Sequence, residues 1–205
     1  MNCKIDTIIF DLGGILVDWN PKYLYEKIFD TQEEVKWFLN NVCTSDWNIE
    51  QDGGRTIEEA NSLKIAEFPE YEDEIKLFYN RWEEMFTGAI EKSVEIQQEL
   101  INNPNYRVYA LTNWSAEKWE KGKELFPFFN DFQGVIVSGQ ENMRKPHDEI
   151  YQLILDRFSI NPKTTVFIDD NLENTIASTR NGIESIRFKS PQQLKRDLLK
   201  LGVTL

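Results

Sequence analysis

The chain has 205 residues, 40% hydrophobic and 28% charged, which suits one soluble globular domain or a domain with an insert, not a disordered chain. Its net charge is −12 and no Lys/Arg-rich run occurs, which excludes non-specific nucleic-acid binding and leaves any phosphate ligand to local positive groups. The apolar run from Ile8 meets Asp11 at once, too short for a leader or a membrane span, and Cys3 and Cys43 form no CxxC; reduced thiols, no membrane partner and a cytoplasmic location are expected.

Residues 6–11 read as the first buried strand. Thr7-Ile8-Ile9-Phe10 is β-branched and aromatic, and Asp11-Leu12-Gly13-Gly14 turns away from it. From Trp19 to about Lys92 no strand signal stands out; helical patterns cover 21–29, 32–42, 56–68 and 71–86. A crossover needs only a dozen or more residues. Residues 19–92 are therefore expected to form a small helical cap domain, and 1–18 with 93–205 the core domain. Strands at 106–112, 134–138, 165–169 and 184–188 then alternate with helices at 115–125, 147–158 and 172–181, the last ended by Asn181-Gly182. A final helix at 191–201 opens on Pro191. Strand–helix alternation predicts an α/β fold, a Rossmann-like parallel sheet with right-handed crossovers.

Asp169-Asp170 closes the run Thr165-Val166-Phe167-Ile168 as Asp11 closes the first. In an open α/β sheet, ligands bind beyond the carboxyl ends of the strands. Three carboxylates delivered there repel one another unless a cation lies between them, and Mg²⁺ is the usual one. Asp11 is the candidate nucleophile, since a carboxylate attacking phosphorus gives an aspartyl-phosphate and splits hydrolysis into two displacements. Taken singly it also reads as a turn or N-cap aspartate. Thr112-Asn113 ends the second core strand, where a hydroxyl, an amide and free N–H groups form an anion site or a plain capping pair. Lys145, before Pro146, is placed to neutralise phosphate and carboxylate charge, although a lone lysine is usually solvated. In the segment 45–55, Trp47 covers a sugar face and Asn48 and Gln51 bind its hydroxyls on one reading; on the other, Trp47 is core. His147 reads as a helix start, and Trp114, Trp119, Phe126, Phe128 and Phe129 as core or a dimer surface. Monomer and homodimer both fit.

In this order the pieces resemble the four motifs of the haloacid dehalogenase superfamily, over the whole chain. The run from Phe10 to Asp18 is similar to the first motif, Thr112 to the second and Lys145 to the third. Phe167-Ile168-Asp169-Asp170-Asn171, followed by Asn174, Ala177 and Gly182-Ile183, is similar to the fourth, and the helical insert to a cap of the family's first type. The chain most resembles the small sugar-phosphate phosphatases of the glucose-1-phosphate phosphatase type. The resemblance implies Mg²⁺-dependent hydrolysis of a small phosphorylated metabolite such as a sugar phosphate. It makes Asp11 the nucleophile, gives Mg²⁺ to Asp11, the Gly13 carbonyl and Asp170, and leaves Asp169 to ligate through water or to orient the site. Thr112, Asn113 and Lys145 would hold the phosphoryl oxygens. The rivals are a metal-independent 2-haloacid dehalogenase, which Asp169-Asp170 disfavours, a sugar-phosphate mutase, and a non-catalytic phosphate-binding protein of the same fold.

One departure stands out. Most phosphatases of that family carry a second aspartate two residues after the nucleophile, as acid and base. Here the position is Gly13, which cannot move a proton. Asp18 and His147 are the nearest alternatives, and Asp18 belongs by position to the hinge into the cap. With no acid at 13, activated esters such as an anomeric phosphate are expected to be hydrolysed in preference to alkyl esters.

Overall fold

The β-branched runs form the centre of a sheet buried on both faces. The computed structural model describes residues 4–205; Cys3 lies outside them, and the other thiol, Cys43, is free and buried. β1 (Thr7–Phe10) is followed by β2 (Val17–Trp19), α1 (Lys22–Tyr25), α2 (Gln32–Asn41), α3 (Ser45–Asp52), α4 (Ile57–Glu67), α5 (Glu72–Asn80) and β3 (Phe86–Ala89). Then come α6 (Glu91–Ile101), β4 (Arg107–Thr112), α7 (Ala116–Leu125), β5 (Val135–Val137), α8 (Ser138–Glu141) and α9 (Asp148–Arg157). β6 (Thr165–Asp169), α10 (Leu172–Arg180), β7 (Glu184–Arg187) and α11 (Pro191–Lys200) complete the order. The five core strands read from the sequence are all present, each end within one residue.

They form one parallel sheet in the order β5-β4-β1-β6-β7. Side chains alternate across it. Ile8 and Phe10 join a cluster with Ile96, Leu100, Leu194 and Leu198 from α6 and α11; Ile9 joins Ile150, Tyr151, Ile154 and Ala177 from α9 and α10. Register places the chemistry. Phe10 lies opposite both Ala110 and Ile168, so the residues that follow, Asp11 and Asp169, emerge side by side at one edge with Thr112 one step beyond. The chain leaves β1 for β4 on one side and later returns to β6 on the other, so this edge is the switch point where such sheets bind ligands.

Three features depart from the sequence expectation, the simplest being the helix expected at 21–29, which ends at Tyr25 as the short α1. β3 lies within the span read as strandless and pairs antiparallel with β2, Val17 opposite Ala89 and Trp19 opposite Phe86. Three- and four-residue strands holding Thr87-Gly88 carry little alternation to read. Both passages between β1 and the helical insert run through this ribbon. The expected helix at 71–86 stops at Asn80: Arg81 leaves helical geometry, and Trp82–Met85 is a 3₁₀ turn closed by the Arg81–Glu84 ion pair. The insert is otherwise helical, with Thr31, Thr44 and Thr56 capping α2, α3 and α4 through their hydroxyls. Among the described residues, no helix is long and apolar enough to cross a membrane.

Candidate active site

Asp11, Asp169 and Asp170 offer carboxylate oxygens that all lie within 4.8 Å of one another. Lys145 projects between them from the loop before α9. Its ammonium is fully buried, 3.0 Å from Asp11 Oδ1 and 2.6 Å from Asp169 Oδ2. Burial alone would lower its pKa, but Asp11 and Asp169 outweigh burial and hold it above the ordinary lysine value. The Leu12 backbone N–H also donates to Asp11 Oδ1, at 2.8 Å. Both partners thus take Oδ1, which orients the carboxyl and leaves Oδ2 the freer oxygen. Burial pushes Asp11 up to about 7 against the pull of Lys145, with Asp169 and Asp170 adding to the rise. Asp170, at the exposed end of the cluster, is also raised, by burial and then by Asp169. Three carboxylates face one ammonium, so the cluster falls two positive charges short of neutrality.

Asp169 is fixed more tightly than its neighbour. Asn174 Nδ2 donates to both of its oxygens, at 3.1 and 3.0 Å, and the Asn171 N–H to Oδ1 at 2.8 Å. It is saturated by Lys145 and these amides. Thr112 Oγ1 is buried with no hydrogen-bond partner. An orphaned hydroxyl costs about 1–3 kcal/mol, and its place beside Asp11 fits a ligand oxygen.

The expected site residues divide. Asp11, Gly13, Thr112, Lys145, Asp169 and Asp170 gather at the switch point. Asn113 is there too, but its amide is spent on the Lys145 backbone: Nδ2 donates to the Lys145 carbonyl at 3.0 Å and Oδ1 accepts its N–H at 2.9 Å. Its side chain holds the lysine loop and has little left for a phosphoryl oxygen. Trp47 and Gln51 are also corrected. Trp47 packs on Phe78 and Tyr79 and donates its indole N–H to the Ala60 carbonyl, while Gln51 is spent on Tyr79 and Arg55. Both belong to the interior of the insert. Asn48 instead lines a cavity that reaches the strand tips at Gly13 and Asn113, together with Trp19, Asp52, Trp82, Phe86 and Trp114. The cavity measures about 80 Å³, several times the roughly 10–15 Å³ that one water needs. Trp119, Phe126 and Phe129 are core, as expected.

Neither alternative proton carrier reaches this cavity. Asp18 is tied to the Tyr23 and Thr87 hydroxyls at the β2–β3 ribbon, and His147 borders a different groove with Glu50, Gly53 and Arg144. Asp52 was not singled out in the sequence, and Asn174 only as part of the run similar to the fourth motif. The signal for Asn174 was an amide in the first turn of the helix that follows the strand ending at Asp169.

Residues 5–181 match the family model of haloacid dehalogenase-like hydrolases. The chain belongs to that family. It is 27% identical over 182 residues, 88% of each chain, to the sesquiterpene phosphatase astK of Aspergillus oryzae. It is 23% identical over 189 residues, 89% of this chain and 84% of the other, to a phosphorylated carbohydrates phosphatase of Thermotoga maritima. Its fold is shared with a haloacid dehalogenase family enzyme of Bacteroides thetaiotaomicron solved with magnesium and inorganic phosphate, at a TM-score of 0.68 and 24% identity over 91% of this chain and 95% of that one.

Proposed function

We propose that this hydrolase is a Mg²⁺-dependent phosphomonoesterase working through an aspartyl-phosphate on Asp11. The observation that carries this reading is the carboxylate cluster, two positive charges short of neutrality, with Thr112 Oγ1 waiting beside it. The donor set is all oxygen, which suits a hard divalent cation. Asp11 and Asp170 would hold Mg²⁺ with the Gly13 carbonyl, and Asp169 serves through Lys145. When bound, the ion would neutralise charge on the phosphoryl oxygens and favour the ionised form of Asp11. The chain's own residues do the rest. Lys145 and Thr112 grip the phosphoryl group, Asn113 holds Lys145 in place, and Asp11 Oδ2 attacks phosphorus in line with the leaving oxygen. Water then releases phosphate from Asp11. Catalysis is chiefly positioning and charge neutralisation, as phosphoryl transfer demands.

Residues 19–92 act in this reading as a cap over the strand tips. The substrate is a small phosphorylated metabolite, and the cavity walls describe its leaving group. Trp19, Tyr79, Trp82, Phe86 and Trp114 offer aromatic surface, with Asn48 the nearby amide. Such walls accept the apolar face of a sugar. They equally accept a hydrocarbon chain, and the resemblance to a sesquiterpene phosphatase favours that second reading. A panel of hexose phosphates and prenyl phosphates decides between them by kcat/KM.

Two results test the metal centre. Phosphate release from p-nitrophenyl phosphate should fall to background with EDTA and return with Mg²⁺; full activity in metal-free buffer would overturn the metal-dependent mechanism. Gly14 has φ +72, and a side chain there would meet Asp170 Oδ2 at 2.7 Å. Gly14→Ala should therefore displace a metal ligand and raise the Mg²⁺ concentration for half-maximal activity by about 10–100-fold. An unchanged Mg²⁺ requirement would place Asp170 outside the metal site.

A further inference from the structure

We propose that Asp52, at the end of α3, is the general acid that protonates the leaving oxygen, doing from the cap what no side chain at position 13 can do. The inference rests on the phosphatase reading above. Gly13 faces open space, with nothing within 4 Å of where a side chain would begin. Gly13 and Asp52 line the same cavity, and Asp52 is the one carboxyl group among the residues that line it. The other proton-bearing groups there are engaged or peripheral. The Tyr79 hydroxyl donates to Asn48 Oδ1 at 2.9 Å and accepts from Gln51 at 3.0 Å, and burial raises its pKa further. Lys118 is half-buried, as Asp52 is, but its ammonium is set near Glu83 and Glu117.

The fold delivers Asp52 to this place. Within α3, residues four apart share a face. Trp47 and Gln51 turn into the insert, and Asn48 and Asp52 turn to the cavity. The helix is fastened to the core by Arg144, whose guanidinium lies 2.9 Å from Glu50. Gly53 and Gly54 allow the close approach. A side chain at Gly53 would press on Arg144, and one at Gly54, where φ is +105, would collide with Asn142. Asp52 also ends the helix, where the negative end of the dipole disfavours a carboxylate. Burial pushes it up to about 7, against the opposing pull of Arg144, Lys145 and the Ser115 backbone. It therefore keeps a proton to give near neutral pH.

The step balances. As Asp11 Oδ2 bonds to phosphorus, the bond from phosphorus to the leaving oxygen breaks, and its electron pair stays on that oxygen. The oxygen takes the Asp52 proton and departs as the alcohol. Asp52, now a carboxylate, takes a proton from the water that attacks the aspartyl-phosphate, and the bond from phosphorus to Asp11 breaks. Phosphate leaves with both carboxyl groups restored. In this scheme the parent enzyme hydrolyses alkyl phosphates well, against the expectation that an acid-free site favours activated esters only.

Asp52→Asn tests it. The comparison is kcat/KM on p-nitrophenyl phosphate and on glycerol 3-phosphate, because kcat/KM covers only the steps up to release of the alcohol. Nitrophenolate leaves without a proton, so its value should change by less than about threefold, whereas the alkyl ester should lose about 100-fold. The first arm also shows that the variant is folded. Equal losses on both esters, or none on either, overturn the proposal. If the parent itself fails to release phosphate with Mg²⁺, or Asp11→Asn turns over normally, the phosphatase reading fails first and the Asp52 assignment falls with it.

Discussion

Asp11→Asn should abolish turnover, by three decades or more in kcat, about 4 kcal/mol of barrier, and leave the fold intact. Asparagine keeps the shape of the side chain and can still meet the Leu12 N–H and the Lys145 ammonium, but it has no charge with which to attack phosphorus. The structure separates this loss from instability. Lys145 retains its 2.6 Å contact with Asp169, and Asp169 retains its three amide hydrogen bonds. The Asp11 charge is itself costly in the fold, since burial raises its pKa to about 7. Replacing it by a neutral isostere should keep or raise the melting temperature at pH 8 in metal-free buffer. Activity on p-nitrophenyl phosphate and thermal unfolding are to be measured on the same preparation. A variant as active as the parent would put the nucleophile elsewhere. A variant that is inactive and unfolded would mean that Asp11 is needed to complete the charge network.

What was legible in the sequence was set by strength of local pattern. Thr7-Ile8-Ile9-Phe10 and Thr165-Val166-Phe167-Ile168 are apolar runs that only a buried strand accommodates, and each ends on an aspartate; once the strands are parallel neighbours, the acids must meet. The β2–β3 ribbon left no such mark, because strands of three and four residues, one of them holding Gly88, offer no alternation to count. The segment 45–52 was informative in composition and ambiguous in phase. Trp47 and Gln51 drew attention by residue type, yet they lie on the inner face, and the adjacent face carries Asn48 and Asp52. Assigning a helix there, from the Thr44 cap to Gly53, would have separated the two faces. Asn113 shows a different limit. An amide at a strand tip is indistinguishable in sequence from a phosphate ligand, and only the structure shows both of its polar atoms committed to the Lys145 backbone.

Lys145→Met should destabilise the protein by about 3–5 kcal/mol at pH 8 without Mg²⁺, the penalty for removing one partner of a buried ion pair. Methionine preserves most of the stem, so the loss is chiefly electrostatic, including that of the ammonium 5.3 Å from the centre of the Phe167 ring. Asp11 and Asp169 are left facing each other with no cation. The pH dependence follows from sign. Asp11 already has its folded pKa raised from 3.8 to about 7 with Lys145 present, and removing the ammonium raises it further. A carboxyl whose folded pKa exceeds its unfolded one costs nothing below the unfolded value and most above the folded value. The Asp11 share of the difference between variant and parent should therefore be absent near pH 4 and grow as pH rises beyond 7, to about 1.4 kcal/mol of the total at pH 8. On the proposed metal site, Mg²⁺ would bind the native cluster in preference to the unfolded chain, so adding it should recover part of the loss in a concentration-dependent way. Urea unfolding at both pH values, with and without Mg²⁺, makes the test. If the variant matched the parent at pH 8 in metal-free buffer, the carboxylates would be paired by something other than Lys145, and the charge deficit behind the metal assignment would disappear.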